Sequence, residues 1–376
     1  MRLLLSLILG AVFVMPSYSY ADDPVVFISA FAAGEKGAIH AFQFDSKNGT
    51  LKPQQRTTDV QYPFFLVISP DGRFLYSIDT EKFGGEENEF VAAYTIKDRS
   101  GRLERLNHQS ANGTASCYLD IDSTGKTVVL ANYSTGSVAA LPVSKDGALK
   151  PATSFVQHNG SSVNPKRQKA PYAHSIVISP DNRFALAADL GIDKVLVYRL
   201  DVAASKLYVN DAQPSVSVEP GSGPRHLTFH PNGKSVYLIN ELKNTLTYFN
   251  YEPQSGKLTT QQTISTLPAD FDGVTHTADV KITPDGNFLY GTNRGHDSIA
   301  CYRIGDDGRL KLIKIEPSLG KGPQNLLITP DSQWVICANM PGNSVAVFKI
   351  DSDTGELTAT GEPISMPMPS CIRWLE

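Results

Sequence analysis

One short unit recurs along the chain: an apolar segment, a tight turn rich in proline, aspartate and glycine, and a second apolar segment. The turns are Pro70-Asp71-Gly72, Asp122-Ser123-Thr124-Gly125, Pro180-Asp181-Asn182, Pro231-Asn232-Gly233, Pro284-Asp285-Gly286 and Pro330-Asp331-Ser332, and their last residues follow one another at intervals of 53, 57, 51, 53 and 46. Proline presets φ, and glycine or asparagine accepts the positive φ that ends such a turn, so each unit reads as a β-hairpin. Self-similarity at about 40 to 50 residues signals a propeller or solenoid. No window shows a helical period, which makes the fold class all-β.

The ends of the chain distinguish a ring from a linear array. With the strand before each turn called a and the one after it b, a strands begin near Pro63, Ser116, Ala173, Arg225, Ala278 and Gln324, and a seventh stands alone at Ser370 to Glu376. Its missing b strand is at the other terminus, in Val25 to Ser29, followed by Ile39 to Phe44 as c and Leu51 onward as d. The count balances only if the two ends share one blade, the closure of a seven-bladed β-propeller with no sheet edge left open. The WD dipeptide of the commonest propeller repeat is absent.

In an antiparallel hairpin the start of strand a and the end of strand b lie on one edge, here one rim of the central channel. Seven residues past each turn stand Asp79, Asn132, Asp189, Asn240, Asn293 and Asn339. A short Asx side chain at that place is expected to close the b-to-c turn on its own backbone, the alternative being a ring of metal-ligating oxygens. The next position varies, with Thr80, Tyr133, Leu190, Glu241, Arg294 and Met340, and the mouth of strand a carries Phe64, Cys117, His174, Arg225, Ala278 and Gln324. His174, Arg225, Glu241 and Arg294 should therefore gather at one rim, while His226 should face away from Arg225 because strand neighbours alternate. Two arginines suit a carboxylate-like ligand, and a glutamate or histidine beside them can move a proton. Inter-blade salt bridges are the structural alternative for the same four residues. There is no GxSxG elbow, HExxH helix or Walker-type loop.

The first residues suggest export. Met1 and Arg2 precede an apolar run from Leu3 to Val14, and Ser19-Tyr20-Ala21 offers a peptidase site, so residues 1–21 are expected to be a signal peptide and residues 22–376 the propeller. A periplasmic or secreted monomer is the expectation, with no membrane span after cleavage. Removing the leader moves the formal charge from −4 to −5, which leaves no basic stripe for nucleic acid and points to small-molecule partners. Cys117, Cys301, Cys337 and Cys371 lack CxxC spacing and read as buried thiols, although export permits a disulfide.

The segment Gly223-Pro224-Arg225-His226-Leu227-Thr228-Phe229-His230-Pro231-Asn232-Gly233, running on to Asn240-Glu241-Leu242, resembles the signature blade of the propeller lactonase family, which includes bacterial 6-phosphogluconolactonases and fungal carboxymuconate-lactonising enzymes. Asn164 to Ser175, Asp189 to Asp193, Ala131-Asn132-Tyr133 and Asn293-Arg294-Gly295 fit the same pattern. The resemblance implies catalytic roles for His174, Arg225, Glu241 and Arg294, with arginines on the lactone oxygens, Glu241 or His174 handling the proton, and no cofactor or metal. Tyr133, Tyr172, Asn240, Asn293 and Gln324 are expected to contact substrate. Tyr172 replaces the first histidine of the family's Pro-His-x-His segment, and Gln324 replaces an arginine. Both changes lower the positive character of the mouth, so the expected reaction is hydrolysis of a sugar-acid lactone less anionic than a sugar phosphate. A muconate-type cycloisomerase and a non-catalytic binding propeller are the alternatives.

Overall fold

The computed structural model describes residues 24–375; the expected signal peptide and Glu376 lie outside them. Seven antiparallel sheets stand around one axis. Their innermost strands, Leu66–Ile68, Ser116–Ile121, Ala173–Ile178, Pro224–Phe229, His276–Ile282, Pro323–Ile328 and Pro369–Leu375, each touch the next around the ring. Blades are numbered from the Leu66–Ile68 sheet. In blade 7, Pro369–Leu375 pairs with Val25–Ala30, followed outward by Ala38–Asp45 and Thr50–Thr57, which is the expected closure. Two short strands, Ser215–Ser217 and Ile364–Ser365, finish the outer edges of blades 3 and 6.

The turns close as their residue types require. Gly72, Gly125, Asn182, Gly233, Gly286 and Ser332 all have φ between 58° and 80°. In four of the six, a serine or threonine before the proline donates to the turn aspartate, and the same hydroxyl accepts the N–H of an aromatic residue. Ser69 and Phe74, Ser179 and Phe184, Thr283 and Phe288, and Thr329 and Trp334 form these pairs. Each aromatic ring then lies on a glycine in the c-to-d turn of the following blade: Phe74 on Gly147, Phe184 on Gly256, Phe288 on Gly355 and Trp334 on Gly49. Tyr76 and Tyr290 donate to the carbonyls of Gly147 and Gly355. The repeat unit thus contains both the turn and the contact that joins it to its neighbour.

Burial follows from radial position. The b strands Phe74–Asp79, Thr127–Asn132, Phe184–Asp189, Ser235–Asn240 and Trp334–Asn339 are buried at every residue, because both of their faces meet adjacent blades. The outer strand Leu103–Ser110 alternates between half-buried and exposed residues over most of its length.

Two features place side chains at the rim. Contrary to the expectation that they close the b-to-c turn on their own backbone, most of the Asx residues ending the b strands bond elsewhere; Asn132, Asn293 and Asn339 donate outward to the carbonyls of Ala111, Thr266 and Ser318. Asp189 alone takes the local form, accepting from Gly191 N–H, and it also accepts from Tyr172 N–H. The second feature is a β-bulge near the start of the inner strands, where register shifts between Ser116 and Tyr118, Ala173 and Ser175, Pro224 and His226, Thr277 and Val280, and Pro323 and Asn325. Cys117, His174, Arg225 and Gln324 are the extra residues, released from cross-strand pairing and turned to the mouth.

Gly355 has φ +78°, and a Cβ there would stand 2.2 Å from the Phe288 ring. Gly355→Ala should cost about 2–4 kcal/mol, combining left-handed strain and overpacking. Gly233→Ala, with φ +65° and open space around it, should cost about 1–2 kcal/mol from strain alone. Urea unfolding of both variants checks the difference; equal losses would remove the inter-blade contact from this account.

Candidate active site

Glu241 follows directly on the b strand of blade 4, where its N–H donates to Gly223 O at 2.7 Å. Its carboxylate is the meeting point of three arginines and a histidine. Arg225 Nε donates to Oε2 at 3.0 Å, Arg294 Nη2 lies 3.0 Å from the same oxygen, and Arg167 Nη2 donates to Oε1 at 2.6 Å. His174 Nε2 stands 3.7 Å from Oε2. All four residues selected from the sequence come together.

Arg167 is the member the sequence reading left out of the site. It lies in the loop between blades 2 and 3, outside any strand register, although inside the Asn164 to Ser175 segment that carries the family resemblance. That loop is fastened at several points. His158 Nδ1 pairs with Asp189 Oδ2 at 2.6 Å, Ser162 donates to Asp193, and Gln168 donates to Leu190 O. Arg167 also donates to the Tyr133 hydroxyl at 3.3 Å. Tyr133 stacks on Tyr172 at 4.9 Å and meets the His174 ring edge-on at 5.2 Å, so both tyrosines flank the cluster. Gln324 Oε1 accepts from Arg294 Nη1 at 3.3 Å. Asn240 and Asn293 do not reach the mouth: both are fully buried, Asn240 on Thr245 and Thr247, Asn293 on Thr266 and Ser298. These two expected substrate contacts are therefore not among the side chains gathered around Glu241.

A second ring lies beneath. His226 does not face away from Arg225, because the bulge at Arg225 interrupts strand alternation; its Nε2 is 3.1 Å from Arg225 Nη1. Its Nδ1 pairs with Asp279 Oδ1 at 2.8 Å. Asp279 also accepts from Lys281, from the Asn325 side chain and from Leu326 N–H.

Burial opposes ionisation of Glu241, but Arg294, Arg225 and Arg167 more than reverse it and hold the carboxyl well below the usual carboxylate range. Burial, then Arg225, keeps His174 neutral far below its ordinary value. Burial and the neighbouring Arg294 pull Arg225 down to about 10, still protonated at neutral pH. Three guanidiniums against one carboxylate leave the mouth cationic. Since both oxygens of Glu241 are already taken, this donor set suits an anion or a developing oxyanion better than a metal ion.

These shifts set a direction for stability. His174 and His226 have folded pKa values below the ordinary 6.5, His226 at about 3 through burial and Arg225, so each favours folding above 6.5 and loses that contribution as pH falls. Each histidine contributes a slope of about 1.4 kcal/mol per pH unit in that window. The melting temperature should fall steadily from pH 6.5 toward 4, and a flat thermal profile over that range would contradict the assignment.

The chain is 32% identical over 350 residues to a 6-phosphogluconolactonase of Bacillus subtilis, which covers 93% of this chain and 97% of the relative. It is 32% identical over 336 residues to a 6-phosphogluconolactonase of Formosa agariphila, covering 88% and 94%. Its fold is similar to the solved structure of a Pseudomonas aeruginosa periplasmic gluconolactonase, with a TM-score of 0.88, 30% identity, and 94% of this chain and 99% of that one covered. The family described as lactonase, seven-bladed β-propeller, matches residues 25–374, and the chain belongs to it.

Proposed function

We propose that the protein hydrolyses the lactone of an unphosphorylated sugar acid outside the cytoplasm, with Glu241 as the proton acceptor. The carrying observation is the convergence of Arg167, Arg225 and Arg294 on one buried, ionised carboxylate. The three arginines suit the oxyanion that develops on a lactone carbonyl. Gln324 and Tyr172 stand where added positive charge would favour a phosphate. The apolar leader, and the name of the Pseudomonas aeruginosa relative, support an extracytoplasmic place.

The chemistry follows from the exposure of each group. Arg225 is fully buried and stays on Glu241, whereas the Arg294 and Arg167 side chains are 26% and 35% exposed and can turn toward a ligand. When the lactone carbonyl takes N–H donors from those arginines, Glu241 loses two of the charges that suppress its basicity. Its carboxylate then accepts a proton from the water that adds to the carbonyl carbon. The arginines stabilise the oxyanion, the ring C–O bond breaks, the departing oxygen takes the proton, and the product is an open hydroxy acid. The lactonising alternative would have Glu241 move a proton to or from carbon, and the relatives named as lactone hydrolases favour hydrolysis over it.

Proton release on gluconolactone, with and without a phosphate, tests the reading. Glu241→Gln should lower kcat by roughly 10²–10⁴-fold. Arg294→Ala should lower kcat/KM by roughly 10²–10³-fold. No turnover above spontaneous opening on any lactone would identify a binding propeller instead. With Glu241 ionised and His174 neutral through the neutral range, kcat/KM should be level from about pH 5.5 to 7.5. A limb near 6.5 would reassign the base to histidine.

A further inference from the structure

We infer that His226 and Asp279 form a positioning pair that fixes the direction of the Arg225 guanidinium. Only the kinetic consequence of this role rests on the lactonase reading above. The role itself follows from donor and acceptor chemistry in the second ring.

A guanidinium can only donate, so His226 Nε2, 3.1 Å from Arg225 Nη1, must be the unprotonated nitrogen. The ring proton therefore sits on Nδ1 and is donated to Asp279 Oδ1 at 2.8 Å. Asp279 is an anchored acceptor. Lys281 Nζ reaches the same oxygen at 2.8 Å, while Asn325 Nδ2 and Leu326 N–H donate to Oδ2 at 2.6 and 3.0 Å. The imidazole cannot easily turn, since Tyr118 and His174 meet it edge-on at 4.9 and 5.5 Å. An aspartate that sets the tautomer and plane of a histidine is a recurrent device for aiming the histidine's other nitrogen.

Arg225 needs such a hold. Its guanidinium is buried beside a second cation, Arg294, which bonds the same Glu241 oxygen. Repulsion between the two favours a swing of Arg225 that Glu241 alone does not prevent. His226 Nε2 and Ala278 O, 2.5 Å from Nη1, fix one side of the fork, and Glu241 fixes Nε. Nη2, without a protein acceptor among the described residues, is then presented in one direction.

The test has a spectroscopic and a kinetic arm. In the ¹⁵N-histidine-labelled wild type, His226 Nε2 should show the shift of an unprotonated imidazole nitrogen at neutral pH, with Nδ1–H as a downfield proton. A protonated Nε2 would overturn the role whether or not any lactone is turned over. On a lactone that the wild type hydrolyses, Asp279→Asn should lower kcat on the order of 100-fold with KM nearly unchanged, the loss expected when the arginine that holds the Glu241 carboxylate is misplaced. His226→Gln keeps an acceptor near Arg225 and should retain at least about tenfold more activity than His226→Leu. Variants that melt earlier but keep full kcat per folded molecule would make the pair a packing element only. If the wild type opens no lactone, the proposed function fails and the nitrogen shift alone decides the positioning role.

Discussion

Seven sheets can face a common axis only while the ring is closed, and one pairing closes it: Val25–Ala30 against Pro369–Leu375. Without that pairing, blades 6 and 1 would each present an unpaired face and the chain would be an open array with exposed sheet edges. With it, residues more than three hundred positions apart bond directly, as Ser29 and Ser370 do at 2.9 Å. The aromatic rings that lie on the glycine turns of successive blades carry the same constraint outward. The mouth is a consequence of closure, since His174, Arg225, Glu241 and Arg294 come from three blades whose mutual angle the ring sets.

Within that frame, bulges convert a repetitive strand into a functional one. An inner strand in perfect register would turn alternate residues toward its two faces. The extra residue at His174, Arg225 and Gln324 breaks this rule and brings each of these side chains to the cluster around Glu241 and Arg294. Glu241 is ionised despite burial because three guanidiniums surround it, and removing one partner from such a buried cluster typically costs about 3–5 kcal/mol. Two of the arginines in that cluster remain partly exposed, Arg294 at 26% and Arg167 at 35%.

The repeat spacing, the turn residues and the unpaired terminal strands carried the architecture, because each expresses a local rule that closure does not alter. The four central site residues were legible for the same reason: they occupy fixed offsets from the turns. Where the reading failed, a local rule was overridden. Alternation misplaced His226 because a bulge at Arg225 shifts the register, a feature that no residue type in Pro224-Arg225-His226 announces. Asn240 and Asn293 have rim offsets but point into the blade, where threonine and serine hydroxyls take their amides. Arg167 was hidden because loops have no period; the basic character of Lys166-Arg167-Gln168-Lys169, between two blades that both border the mouth, was the available signal.

The central claim is that Arg294 and Arg167 exchange Glu241 for the ligand while Arg225 does not. The direct measurement is a crystal structure with gluconate, the open acid of the proposed lactone class, bound at neutral pH. The account predicts its carboxylate on the guanidiniums of Arg294 and Arg167, with the Arg225 to Glu241 bond intact. Gluconate bound elsewhere, or bound with all three arginines still on Glu241, would contradict it.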